Sequence, residues 1–350
     1  MMPQEEKKHK RRVHYSGKYP KKFEEKYKEH QPEKYQDMIE HVIRKGNTPA
    51  GMHLSIMVQE ILDFLQIQPG QTGFDATLGY GGHTKAMLAC LEGRGHIYAT
   101  DVDPEESAKT KKRLLEQGYG EEILTIKLQN FCTIDEIAKE AGGFDFVLAD
   151  LGVSSMQIDN PERGFSFKVE GPLDLRLNQK ERISAAERLD TITKEELAGM
   201  LYENSDEPYS EELAKAITDE IRRGNRMDTT KKLRDVIEKT LMFLPEKERK
   251  DTVKKTCQRV FQALRIDVNN EFEVLYEFME KLPECMKPGG RAAILTFHSG
   301  EDRLVKKALK SGYKAGIYSD YAKDVIRPSA KECAQNGRAR STKMRWAIKK

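Results

Sequence analysis

The sequence predicts an α/β fold, a doubly wound parallel sheet interrupted after its fourth strand by a helical insertion. Three observations predict it. Strand-like and helix-like segments alternate between residues 72 and 152, the strand pattern disappears from about 157 to 260, and it returns only near residues 291 and 341. Strand–helix repeats at this spacing build parallel sheets with right-handed crossovers.

The elements follow in order. The run LSIMVQEILDFL places Leu54, Ile56, Met57, Ile61, Leu62 and Leu65 at helical spacing, and Pro69-Gly70 stops it. Residues 72–77 read as a strand, 83–92 as a helix, 96–103 as a strand and 104–118 as a charged helix. A third strand over 123–130, a short helix over 133–141 and a fourth strand over 144–152 complete the alternation. Amphipathic helices are expected over 194–203, 210–223, 230–243 and 246–264, and strands over 291–297 and 341–349. The domain expectation is an extension over 1–45, a core over 46–156 and 264–350, and an inserted helical domain over 157–263 that recognises substrate.

Composition narrows the class of protein. The 350 residues are 38% hydrophobic and 33% charged, which excludes collagen and low-complexity filaments. No apolar run approaches the roughly 18 residues of a membrane span, and the N-terminus lacks the apolar stretch of a secretory signal. Five scattered cysteines without a C-x-x-C spacing read as reduced thiols, which implies a cytoplasmic location. The net charge of +3 hides an asymmetry: residues 1–45 carry 13 basic and 8 acidic side chains, and residues 321–350 carry 9 and 2. Basic ends on an acidic body point to a polyanionic partner or serve solubility alone.

The segment GFDATLGYGGHT, residues 73–84, carries the first functional signal. A strand ending in Asp75 enters a turn with Gly79, Gly81 and Gly82, and a helix follows; such a turn brings backbone N–H groups close to a ligand. Asp101 ends the second strand twenty residues after Gly81, where a carboxylate can bind a ribose diol. A dinucleotide fingerprint would need glycine where Thr84 stands, and Asp75 would repel a pyrophosphate. An acidic residue there suits the ammonium of S-adenosylmethionine (SAM). Phe131 after the third strand either packs against adenine or fills the core. Asp150 ends the fourth strand in VLADLGVSS, and an unpaired buried carboxylate is too costly to be mere filler.

Residues 148–178, LADLGVSSMQIDNPERGFSFKVEGPLDLRLN, resemble the signature of the RsmH (MraW) family, the bacterial 16S rRNA cytosine-N4 methyltransferases. Further blocks match in the family order: His53, GYGGHT (79–84), FQALRIDVN (261–269), TFHSGEDRLVK (296–306) and NGRARSTKMR (336–345). The resemblance covers roughly residues 50–350. It implies a class I, Rossmann-like SAM-dependent methyltransferase core with a helical domain inserted after strand four. It further implies SAM as cofactor, held around Gly81, Gly82, His83, Asp101, Phe131, Asp150 and Gln157. The implied substrate is a cytidine in the decoding centre, and the implied partner is 16S rRNA in the assembled small subunit. The chain departs from the family at KTCQR (255–259), Gly300 and Gly337. Those departures keep two alternatives open: a paralogue that methylates another RNA or base, and a SAM- or RNA-binding assembly factor with little catalysis.

Within this frame Asp150 is the candidate catalytic residue, accepting hydrogen bonds from the target amino group. Ser154 and Ser155 shape the base pocket or cap a helix. Arg163 and Phe165, in RGFSF, form a base-stacking platform or a packed loop. His298 lies near the active site. Arg338 and Arg340, with Lys343 and Arg345, are expected to contact phosphates. No metal is expected, since Glu301 and Asp302 adjoin a helix start where acids are favoured anyway.

Overall fold

The structure, a computed structural model, describes residues 55–350; the basic extension and His53 lie outside the described residues. Seven strands form one sheet in the order β3-β2-β1-β4-β5-β7-β6. Four parallel strands come from the predicted alternation: β1 (Thr72–Asp75), β2 (His96–Asp101), β3 (Leu124–Leu128) and β4 (Phe144–Asp150). β5 (Met286–Thr296) continues them in parallel beside β4, while β7 (Lys343–Lys349) runs antiparallel between β5 and β6 (Tyr318–Tyr321).

Strand β4 shows why the sheet forms. FDFVLAD is apolar on both faces because helices cover both. Phe146 and Leu148 pack with α1 (Val58–Leu65) and α2 (Gly82–Leu91), while Val147 and Ala149 pack with α4 (Ile134–Ala141) on the opposite face. Between α2 and α4 the chain forms α3 (Pro104–Glu116), started by Asp103 at the N-cap and Pro104 in the first turn.

After β4 the chain leaves the sheet through α5 (Ser155–Asp159). It then builds α6 (Ala185–Thr191), α7 (Lys194–Ser205), α8 (Ser210–Arg222), α9 (Thr230–Thr240) and α10 (Glu246–Asn269). Their apolar faces bury a separate cluster running from Phe165 to Val268. The expected boundary at 263/264 falls inside α10, which is continuous to Asn269. Asn270, at φ 50°, turns the chain directly into α11 (Glu271–Cys285), a helix the sequence reading did not resolve. Also beyond that reading were α12 (Ser299–Lys314), α13 (Ala330–Gln335) and the four-residue edge strand β6, whose Ser319 and Asp320 are exposed. All five cysteines are unpaired thiols. No helix among the described residues is long and apolar enough to cross a membrane.

Candidate active site

The turn after β1 is a rigid cradle. Gly79 (φ 47°) and Gly81 (φ 77°) occupy left-handed conformations that favour glycine, and no side chain caps the start of α2. A Cβ on Gly81 would lie 2.8 Å from the Thr110 methyl, and one on Gly82 would lie 2.1 Å from Ser55 Oγ. Helix α3 grips the turn from outside. Thr110 donates to the Gly79 carbonyl (2.6 Å), and Arg113 donates to that of Tyr80 (2.6 Å) while lying 3.5 Å over its ring.

Beneath the turn Asp75 has a structural task instead of the expected ammonium contact. Its carboxylate is fully buried and off the cavity wall, accepting from the Thr84 hydroxyl (2.6 Å) and the Thr77 N–H (3.1 Å). Burial raises its pKa above the usual carboxylate range.

A cavity of about 360 Å³ opens over the carboxyl ends of the parallel strands, the place where open α/β sheets bind ligands. Gly81, Gly82, His83, Asp101, Phe131, Asp150 and Gln157 all line it. Asp101 accepts from the N–H groups of Gly79 (2.8 Å) and Asp103 (2.8 Å), so it braces both turns around the cavity, and burial pushes its pKa to about 6. Phe131 is held edge-on by Phe278, 5.2 Å between ring centroids. Gln157 spans two elements: its carbonyl closes the capping box with Ser154, and its amide donates to Asp103 (3.0 Å).

Asp103, which the sequence reading passed over, is the hub of this wall. Besides capping α3, its carboxylate accepts from Gln157 and from the buried Arg163 guanidinium at 2.8 Å. The N-cap position before Pro104 was the available signal. Arg163 also donates to the carbonyls of Arg176 and Leu177, and Phe165 is buried in the insertion's core. The base-stacking platform is therefore absent from these two residues; they pack the insertion against the cavity wall.

Asp150 faces the cavity with 24% of its side chain exposed. Its Oδ2 lies 3.4 Å from His83 Nδ1, and its Oδ1 is buried without a hydrogen-bond partner. Burial pushes its pKa to about 6, with His83 opposing the rise and Asp75 and Glu301 adding to it. The fold leaves acceptor capacity on this carboxylate that it does not itself use.

The remaining wall holds charged residues to which the sequence assigned no part in the site. Arg265 and Glu271 form a two-pronged ion pair (2.8 and 2.8 Å), and Glu301 accepts from the Phe297 N–H (2.8 Å). His298 is not on the wall. It caps α12, with Nδ1 accepting from the Glu301 N–H (3.4 Å) and Nε2 3.2 Å from Glu301 Oε1. Glu271, His298 and Glu301 bring candidate ligand atoms within 4.8 Å of one another, but Arg265 and the helix cap already answer their charges.

Gly300, where the family has leucine, is explained by packing. A Cβ there would lie 2.5 Å from the ring of Phe272. Gly300→Ala is expected to cost about 1–3 kcal/mol in denaturant unfolding, a loss partly recovered in the double variant with Phe272→Leu.

Ser154 caps α5, and both Ser154 and Ser155 line the cavity. Arg338 lines it too, its guanidinium paired with Asp159 (2.7 Å) and 3.4 Å from the Ser155 carbonyl. Arg340 is exposed. Lys343 (2.8 Å) and the buried Arg345 (2.6 Å) bind Asp302 instead of facing solvent as phosphate ligands.

The residues fit SAM. A glycine turn with a helix start that no side chain caps, an acidic residue after β2 and an aromatic after β3 surround one cavity, with a carboxylate of spare acceptor capacity at its edge. Fold and site together define a class I SAM-dependent methyltransferase. The chain belongs to the MraW methylase family, whose sequence model matches residues 50–350.

Three relatives are similar over nearly the whole length. "Ribosomal RNA small subunit methyltransferase H 1" of Agathobacter rectalis is 83% identical over 345 residues, 99% of each chain. The protein of the same name from Lachnoclostridium phytofermentans is 70% identical, covering 97% of this chain and 93% of its own. "Ribosomal RNA small subunit methyltransferase H 2" of Alkaliphilus metalliredigens is 62% identical over 99% and 100%. Alignments of this length take in most of the basic extension, so those relatives have sequence corresponding to it.

Proposed function

We propose that the chain transfers a methyl group from SAM to the exocyclic N4 of a cytidine in 16S rRNA, at the decoding centre of an assembled small subunit in the cytoplasm. The observation that carries this reading is the Asp150 carboxylate, partly exposed on the cavity wall at the carboxyl end of β4, with His83 Nδ1 3.4 Å from its Oδ2. The relatives' names support small-subunit ribosomal RNA as the substrate class; the cytosine and its location rest on the sequence motifs.

When bound, SAM supplies a sulfonium methyl, which the N4 lone pair takes in an in-line displacement while the carbon–sulfur electron pair returns to sulfur. That lone pair is delocalised into the pyrimidine ring, so the enzyme must localise it. Asp150 does this by accepting a hydrogen bond from the amino group, which favours a pyramidal nitrogen, and it then takes the proton that N4 releases. Orientation and fixed charge supply most of the acceleration, and a strong base is unnecessary. The glycine turn, Asp101 and Phe131 orient the cofactor. The capped turn from Gly152 to Ser155 forms the adjoining wall for the base.

Purified protein given methyl-labelled SAM and undermethylated small subunits is expected to label 16S rRNA at a cytidine. Label on another base or another RNA would replace this reading with the paralogue alternative. For RNA affinity, Arg340→Ala is expected to reduce the slope of log affinity against log salt by about one, as for a lost phosphate contact. Lys343→Ala leaves that slope unchanged, because Lys343 is committed to Asp302. A filter-binding salt series reads both.

A further inference from the structure

We infer that His83 is a positioning residue for methyl transfer: it holds a proton against Asp150 and so keeps that carboxylate ionised as the acceptor for the target amine. The inference deepens the proposed reaction and rests on Asp150 being that acceptor.

The argument is a count of protons. His83 Nε2 lies 2.9 Å from the Ile56 carbonyl, which can only accept, so Nε2 carries a hydrogen. The other nitrogen, Nδ1, faces Asp150 Oδ2 at 3.4 Å. A bare Nδ1 would set a lone pair against a carboxylate; a proton shared between the two removes that repulsion, and held on the nitrogen it makes the contact charge-assisted. The ring is 8% exposed and anchored through Nε2, on the first turn of α2.

The other charged groups around Asp150 work the opposite way. Asp75 at the end of β1 and Glu301 at the start of α12 both disfavour its ionised form. Asp101 at the end of β2 and Glu271 at the start of α11 add further acidity to the cavity wall. The two arginines of the cavity wall are engaged elsewhere, Arg265 of α10 with Glu271 and Arg338 with Asp159. His83 is thus the group among the described residues that offsets the surrounding acids at Asp150. Without it, a buried carboxylate among acids takes up a proton and stops accepting from the amine.

The test is the pH dependence of kcat at saturating SAM, with small subunits as substrate. His83→Phe removes the donor, and the acid limb of its profile is expected to move up by roughly one to two pH units, with rate recovered on the alkaline side. His83→Asn places an amide donor near the Nδ1 position and is expected to show a smaller shift. A uniform fall in kcat at every pH in both variants, with the limb unmoved, would overturn the inference. If His83→Phe does not fold, His83→Asn decides, together with the 15N shift of His83 Nδ1 in the unmodified enzyme. A protonated Nδ1 signal that disappears in Asp150→Asn supports the pair; a bare Nδ1 at neutral pH overturns it. Failure of the underlying reading has a different signature: Asp150→Asn would then turn over normally whatever the His83 variants do.

Discussion

Asp150→Asn is expected to lower kcat by about 10²–10⁴-fold while SAM still binds. The amide has the shape of the carboxylate, and the backbone bond from Asp150 N–H to Thr77 Oγ1 (2.8 Å) does not involve the side chain. The strand end and cavity wall should therefore survive. What is lost is charge and acceptor capacity: one arm of the amide now donates toward an amino group that also donates. Single-turnover methylation with enzyme in excess isolates this step from product release, and calorimetry checks SAM binding separately. A variant that binds SAM and turns over at the normal rate would remove Asp150 from the chemistry.

Asp103→Ala should have the largest effect on stability, about 3–5 kcal/mol, because it strands the Arg163 guanidinium in a buried position. It also removes the N-cap of α3 and the acceptor for Gln157. Arg163→Met is expected to cost less. Asp103 would then keep its bonds from Gln157 and from the N–H groups of Glu105 and Glu106. The double variant should be more stable than Asp103→Ala alone, since it leaves no buried unpaired cation. Urea unfolding of the three variants measures the asymmetry. Equal losses in both single variants would mean that the ion pair is not what sets the cost.

The first four strands were legible because buried parallel strands are short apolar runs between turn signals, as FDFVLAD is. β6 was not, since YSDY on an exposed edge carries no such signal. α11 follows α10 with a single residue between them, so nothing in composition marks the join except Asn270 in its left-handed conformation. The site divides in the same way. Gly81, Gly82, Asp101 and Asp150 stand at strand ends and turns, where local sequence alone fixes position, and all meet at the cavity.

Side chains whose partners are remote in sequence were misjudged. Arg163 looks like an RNA ligand until Asp103, sixty residues earlier, closes on it. Lys343 and Arg345 look like phosphate ligands until Asp302 is brought beside them. His298, placed near the active site by its motif, caps α12 and bonds Glu301 off the cavity wall. The charge pattern that suggested a polyanion counts side chains without regard to such pairing; of the four residues expected to contact phosphates, Arg340 is the exposed one.

The most direct test compares nucleosides from 16S rRNA of a strain lacking this protein with those of its parent, by mass spectrometry. The expected result is loss of an N4-methylcytidine species, restored by the wild-type chain and not by Asp150→Asn. An unchanged nucleoside profile, or full restoration by Asp150→Asn, would contradict the account.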